Sequence, residues 1–203
     1  MPVVVEGIVE LRKALNKLAP DIKKEMDKEV REALKPIIAD ARAHVPASAP
    51  GGLFNWNSPG YERKSRTGRK DAFPPYNSKV IRKGLTYSIT PSRMQGTGFV
   101  SLFTLLNKSR AGAIIETAGR LNPGGDPESQ SNNPRAGARF NASMNGIGAL
   151  KDYSGRGKNS TGRLLYAAYA RNQGRALNAI LKSIETAQNN LVKRIQDSNK
   201  RVA

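Results

Sequence analysis

The side chains that could perform chemistry are few and scattered in this sequence of 203 residues. Cysteine is absent, which excludes thiolate nucleophiles, disulfides and cysteine-ligated zinc. The single histidine, His44, stands at the end of a helical pattern and has no Ser or Asp pattern of a catalytic triad around it. We therefore interpret His44 as a capping or solvent-facing residue.

Two other candidates for chemistry are weak. Asp126 and Glu128 lie in a segment rich in turn residues, whereas general acid–base catalysis needs carboxylates in a fixed geometry. Residues 155–160, GRGKNS, superficially resemble a phosphate-binding loop but lack the GxxxxGK[ST] spacing and a preceding hydrophobic strand. We therefore predict a protein that is not an enzyme and that has no catalytic residues, no metal and no cofactor.

The basic side chains are numerous and unevenly distributed. The chain has 34 Lys and Arg against 16 Asp and Glu, a formal net charge of +18. Residues 1–45 carry 9 basic and 8 acidic side chains, residues 61–93 carry 9 and 2, and residues 151–203 carry 11 and 3. Such asymmetry indicates a polyanionic neighbour, either nucleic acid or an acidic protein surface, and the alternative of a charge that serves solubility stays open.

A long segment after residue 46 combines basic residues and aromatic residues without any periodic pattern. A long loop of this kind in a compact domain is typically functional or disordered, and its aromatic residues can order against a partner. An alternative, in which these aromatic residues cover the edge of the core, stays open. Seven residues are our candidates for an interaction site: Arg63, Lys64, Arg66, Arg69, Lys70, Trp56 and Tyr61.

The elements that must position these residues are helices at both ends of the chain. Apolar residues recur every three or four positions over residues 8–18, again over 22–41, and again over 164–196, as in amphipathic helices. Pro20 predicts a break after the first helix, because proline lacks the N–H group that the preceding turn would use. Pro36 predicts a kink, since the apolar pattern continues beyond it.

The middle of the chain has strand patterns. Residues 85–90 and 98–106 alternate and are rich in β-branched and aromatic residues, and residues 111–116 predict a third strand or an edge segment. The predicted fold class is α+β, with a small, mostly antiparallel sheet packed by a long N-terminal helix pair and a C-terminal helix. We predict one domain over residues 1–203, with its core in 6–46, 85–119 and 162–198 and long loops at 47–84 and 120–161.

The N-terminal run GIVELRKALNKLAPDIKKEMDKEVREALKPIIADARAHVP resembles the opening of the neck or tail-completion family of long-tailed bacteriophages. The shared features are a Gly before an ELRKAL-like helix, a Leu-Ala-Pro break and a long amphipathic helix that ends near a proline. AGAIIETAG at residues 111–119 is similar to a strand of that family, and the helix after Gln173 is similar to its ending. The resemblance covers residues 6–46, 85–119 and 162–198.

The resemblance implies a structural subunit of the virion that acts in tail completion and head–tail joining. Its expected partners are other neck and tail proteins, namely the stopper, the tail terminator and the tape measure protein, and copies of the same chain in a ring. Non-specific contact with DNA is also expected, and no contact with a membrane, because no apolar run approaches about 20 residues. We expect assembly in the host cytoplasm. The alternative function is a basic DNA-binding or DNA-packaging accessory protein.

Overall fold

The computed structural model describes residues 8–57, 74–90, 103–118, 136–144 and 162–202. The predicted α+β class is confirmed, because these residues form mainly helices together with a small antiparallel sheet of two strands. In chain order, the elements are α1 (Ile8–Leu18), α2 (Pro20–Ala43), α3 (Phe54–Asn57), α4 (Ser78–Gly84), β1 (Leu85–Ser88), β2 (Thr104–Asn107), α5 (Arg110–Thr117), α6 (Ala136–Met144) and α7 (Leu165–Val202).

The N-terminal helices follow the predicted pattern. α1 ends at Leu18 and α2 begins at Pro20, a first helical position where the missing N–H group of proline costs nothing. Ala19 joins them, since its N–H donates to the carbonyl of Leu15 and its carbonyl accepts from Lys23. α2 then continues through Pro36, as predicted, to Ala43.

The C-terminal helix is longer than its apolar pattern predicts. α7 has 38 residues and ends at Val202, whereas the pattern indicates an end near Gln196. At 1.5 Å per residue, this helix is about 57 Å long.

The predicted third strand is a helix. Residues 111–116 belong to α5, whose N-terminus is capped by the Ser109 hydroxyl, which accepts a hydrogen bond from the N–H of Gly112 at 3.1 Å. The apolar run with its β-branched isoleucines predicts a strand. The Ser109 hydroxyl, however, accepts from an N–H group of the first helical turn that has no partner within the helix, and such a cap favours a helix start. In the described residues the sheet therefore has only β1 and β2; of the predicted 98–106 strand, residues 98–102 lie outside the described part of the chain.

The predicted loops contain short helices. α3 and α4 lie within 47–84, and α6 lies within 120–161. α4 begins after Asn77, whose side chain accepts hydrogen bonds from two N–H groups of the first turn and so caps the helix. α6 is stabilised by tertiary packing, because Phe140 and Met144, one helical turn apart, are both buried.

Contacts divide the described chain into two compact units, and the single-domain prediction stays a prediction. The first unit holds residues 8–36, 87–90, 103–104 and 172–202, and the second holds 37–57, 74–86, 105–118, 136–144 and 162–171. The apolar core of the first unit comes from Leu15, Ala19, Ile22, Met26, Val30, Leu34, Ala176, Ile180, Ile184, Ala187 and Leu191. Large core side chains of the second unit are Ile37, Ile38, Trp56, Ile81, Leu85, Ile115, Phe140, Met144 and Leu164.

Within the first unit, α2 and α7 pack in opposite directions. Asp21 at the start of α2 accepts two hydrogen bonds, of 2.7 and 2.6 Å, from the guanidinium of Arg194 near the end of α7. Further along, Met26 faces Ser183 and Ala187 across a narrow crevice. One side of α7 in this unit is therefore used by the core, and the side that remains faces solvent.

Candidate interaction surface

The predicted interaction residues are only partly within the described chain. Six of the seven lie outside it, and their role stays a prediction: Tyr61, Arg63, Lys64, Arg66, Arg69 and Lys70. The seventh, Trp56, belongs to α3 and is 9% exposed.

Trp56 has a packing role in the second unit. Its Nε1 donates a hydrogen bond to the carbonyl of Pro74 at 2.9 Å, and its ring meets the ring of Tyr76 edge-on at a centroid distance of 5.1 Å. The ring of Phe140 lies 6.3 Å away. These contacts tie α3 and α6 together. For Trp56 and Tyr76 they agree with the alternative that aromatic residues of this segment cover the edge of the core.

His44 caps α2, as its position in the sequence predicts. Its Nδ1 lies 2.7 Å from the carbonyl oxygen of Asp40, in the last turn of the helix. The carboxylate of Asp40 accepts two hydrogen bonds from Arg171, one from Nε at 2.9 Å and one from Nη2 at 3.1 Å. The three residues form a structural link within the second unit between α2 and α7.

The other sequence candidates for chemistry, Asp126, Glu128 and residues 155–160, lie outside the described residues. Across the described ranges, His, Cys, Asp and Glu form no group of three or more that could hold a metal ion.

Glu116 is a buried carboxylate whose structural role the sequence analysis missed. It is 5% exposed, at the end of α5, and its two carboxylate oxygens accept hydrogen bonds from three successive backbone N–H groups at the start of α7. These donors are Leu164 at 2.8 Å, Leu165 at 3.1 Å and Tyr166 at 3.1 Å. A carboxylate in this position satisfies N–H groups that the helix leaves without partners and complements the positive end of its dipole.

Arg163 completes this link. Its Nη1 donates to the carbonyl of Ile115 at 2.9 Å, and its guanidinium lies 5.3 Å from the centroid of the Phe140 ring. Burial raises the pKa of Glu116 above its usual range, and the three N–H groups and the positive charge of Arg163 oppose that shift. Because both carboxylate oxygens are engaged by the backbone, Glu116 fastens α7 to α5 and has a structural use.

The solvent-facing side of α7 carries exposed apolar residues in the first unit. Leu181, Val192 and Ile195 are 39%, 51% and 45% exposed, and we call them the apolar row. At about 100° per residue they lie within about 60° of one another around the helix, beside the buried stripe formed by Ile184 and Leu191. The apolar row therefore gives α7 a second apolar face, beside its buried stripe, which another protein surface can cover.

A third side of α7, opposite the core, carries exposed cations. Arg175, Lys182, Lys193 and Lys200, here called the basic ridge, are separated by 7, 11 and 7 residues. Since 7 and 11 residues are close to two and three whole turns, the four positions align to within about 20°. All four side chains are exposed, and within the described part of the chain none of them forms an ion pair.

The signals for these two faces are present in the sequence. The apolar pattern of the C-terminal helix includes Leu181 and Ile195, but only the packing shows that they lie outside the core. The spacing of the basic ridge can be recognised in the sequence once residues 175–200 are known to form one continuous helix. Glu116, in contrast, has its partners 48 to 50 residues away, which no local pattern indicates.

Among the helices of the described ranges there is no candidate for a membrane-spanning segment. Comparison of the chain with protein-family models, curated proteins and solved structures gives no significant match.

Proposed function

We propose that this protein is a structural subunit of the neck and tail junction of a long-tailed bacteriophage, where it acts in tail completion and head–tail joining. The resemblance of residues 6–46 to the tail-completion family supports this proposal. The structural observation that carries it is the apolar row on α7, because a subunit of an assembly must present apolar surface that a neighbouring subunit covers.

The free energy gained by covering the apolar row is suitable for assembly. Full burial of a Val, Leu or Ile side chain contributes roughly 1.5–3 kcal/mol, so covering three half-exposed side chains contributes on the order of 1 kcal/mol each. One such contact is weak, but a closed ring repeats the same contact between every pair of neighbours. The free chain therefore stays soluble, and the assembled ring is stable.

The internal chemistry supports the same proposal. Glu116 and Asp40 are polar groups of the kind that could serve catalysis, and both are engaged in links between elements of the second unit. Their contacts hold the part of α7 that belongs to the second unit. We therefore assign these side chains a structural role.

The test is head–tail joining in extracts from a phage that lacks this gene, with joined particles counted by electron microscopy after addition of the purified chain. The test variant replaces all of Leu181, Val192 and Ile195 with Gln, which keeps helix propensity and removes apolar surface. Val80→Gln is the control, because Val80 is a 57% exposed apolar residue on α4 and belongs to the second unit.

We expect the wild-type chain and the Val80→Gln variant to restore joining, and the triple variant to fold normally without restoring it. Full restoration by the triple variant would show that the apolar row is not the assembly surface. If the wild-type chain leaves the number of joined particles unchanged, the proposed function itself is wrong.

The alternative, a DNA-binding or DNA-packaging accessory protein, makes a different prediction for binding. A dedicated binder keeps sequence or structure specificity at physiological salt, whereas a structural subunit binds duplex DNA only non-specifically. Competition between specific and random duplexes at 0.15 M salt, roughly the physiological ionic strength, distinguishes the two.

A further inference from the structure

We propose that the basic ridge of α7 is a binding surface for the sugar–phosphate backbone of duplex DNA. This inference does not rest on the proposed role in the phage neck and tail. It rests on the position and surroundings of Arg175, Lys182, Lys193 and Lys200, which lie in the described part of the first unit and on the side of α7 opposite the core.

The first step of the argument is geometric. From position 175 to position 200 the helix rises about 37 Å at 1.5 Å per residue, and the four cations follow one side of it. Duplex DNA carries one negative charge per roughly 1.7 Å of its axis, so a line of this length meets phosphates along its whole extent. Because the phosphates follow one another so closely, cations at separations of 7, 11 and 7 residues can each meet one.

The second step concerns what lies between the cations. Asn178, Asn189 and Gln196 are exposed on the same side of the helix, and their amide groups can donate hydrogen bonds to phosphate oxygens. No aromatic residue stands in residues 172–202, so this side of α7 has no ring on which the bases of single-stranded DNA could stack. Cations and amides without aromatic residues favour the backbone of a duplex.

The third step is a comparison with α2 in the same unit. Its outward side mixes signs, with Lys24 and Lys28 beside Glu25 and Glu32, and Lys35 forms an ion pair of 2.6 Å with Glu32. α7 has only Glu185 and Asp197 in residues 172–202, and both lie at the flanks of the ridge. The positive field is therefore concentrated on α7, and the net charge of +18 adds long-range attraction.

The test measures binding of the full chain to a fluorescent 30-base-pair duplex by anisotropy, over a series of salt concentrations. The ridge variant carries Lys182→Gln, Lys193→Gln and Lys200→Gln. The matched control carries Lys13→Gln, Lys24→Gln and Lys28→Gln, three exposed lysines on α1 and α2 with the same loss of charge. Thermal melts of both variants verify folding, and the three single ridge variants are measured separately in case the triple variant does not fold.

We expect the ridge variant to weaken binding at least tenfold at 0.1 M salt and to reduce the slope of log K against log salt by about 2–3, since each lost phosphate contact removes about 0.9. The control should change the affinity less than twofold. Equal weakening by both variants would overturn the proposal, because net charge alone would then explain binding. Equal competition by polyglutamate at matched charge would also overturn it, in favour of an acidic protein partner.

Discussion

Removal of the Glu116 carboxylate is the sharpest test of how the second unit holds α7 in place. The carboxylate is 5% exposed and accepts hydrogen bonds from the N–H groups of Leu164, Leu165 and Tyr166. Glu116→Ala leaves all three donors without their acceptor. Water can reach the Tyr166 N–H, which is only partly buried, but the other two N–H groups are buried.

The expected loss of stability in Glu116→Ala follows from the burial of these N–H groups. A buried donor left without a partner costs about 1–3 kcal/mol, and loss of a helix N-terminal cap typically costs about 1 kcal/mol. Two buried donors therefore give an expected loss of about 2–6 kcal/mol in the free energy of unfolding. Arg163 adds to this loss, because its buried guanidinium loses a neighbouring negative charge.

The assay is urea denaturation followed by circular dichroism, with Glu185→Ala as the control. Glu185 is an exposed glutamate on α7, so its removal should change the free energy of unfolding by less than about 0.5 kcal/mol. Glu116→Gln keeps one acceptor oxygen and should lie between the wild type and Glu116→Ala. A Glu116→Ala variant as stable as the control variant would refute the reasoning.

Comparison of the wild type with Glu116→Gln also tests a prediction about the pH dependence of stability. Burial raises the pKa of Glu116 in the folded protein above its ordinary value of 4.5, so the folded state binds the proton more tightly than the unfolded state. The pH-dependent part of the stability from this group, which adds to that of its hydrogen bonds, is therefore fully present below pH 4.5 and is lost as the pH rises through the raised pKa. Glutamine does not titrate, so the advantage of the wild type over Glu116→Gln should shrink as the pH rises across this window. A difference that does not change with pH would contradict this sign.

Two further predictions concern packing in each unit. Leu34→Asp should cost at least about 4 kcal/mol and prevent folding, because Leu34 is fully buried, whereas Lys28→Asp on the exposed side of α2 should be tolerated; equal loss of soluble protein from both would show that the faces are misassigned. Gly52→Ala should cost about 1–3 kcal/mol, because Gly52 has φ +89° and a Cβ there would lie 2.6 Å from the backbone nitrogen of Phe140; an unchanged Tm would contradict this.

The sequence predicts the long helices well, because their apolar residues repeat over many turns. The break at Pro20, the continuation through Pro36 and the C-terminal helix are all confirmed. These features depend on local backbone chemistry and on a periodic pattern, and both are visible in one chain.

The sequence analysis misses one element through a local cap and the others because distant contacts decide them. Residues 111–116 have a short apolar run that fits a strand or a buried helix, and the Ser109 cap decides for the helix α5. α6 has a single apolar turn, and its stability depends on packing of Phe140 against Trp56 in another segment. Glu116 has an ordinary setting in the sequence, and its importance comes only from α7, which follows almost fifty residues later.

The division of α7 into faces shows the same limit. Leu181 and Ile195 fit the apolar pattern as well as the buried Ile184 does, so periodicity alone places all three in the core. Only the packing of α2 against one side of α7 separates the residues that the first unit buries from those available to a neighbour. Interaction surfaces therefore need the structure, even where their residues are conspicuous in the sequence.

The central claim, that this protein is a structural subunit of a phage neck and tail, is tested most directly by cryo-electron microscopy of purified particles from the phage that encodes it. The account predicts a ring of copies of this chain at the junction of head and tail, with the apolar row of α7 covered by a neighbouring subunit. Purified infectious particles in which the junction is fully built from other proteins, with this chain absent, would contradict it.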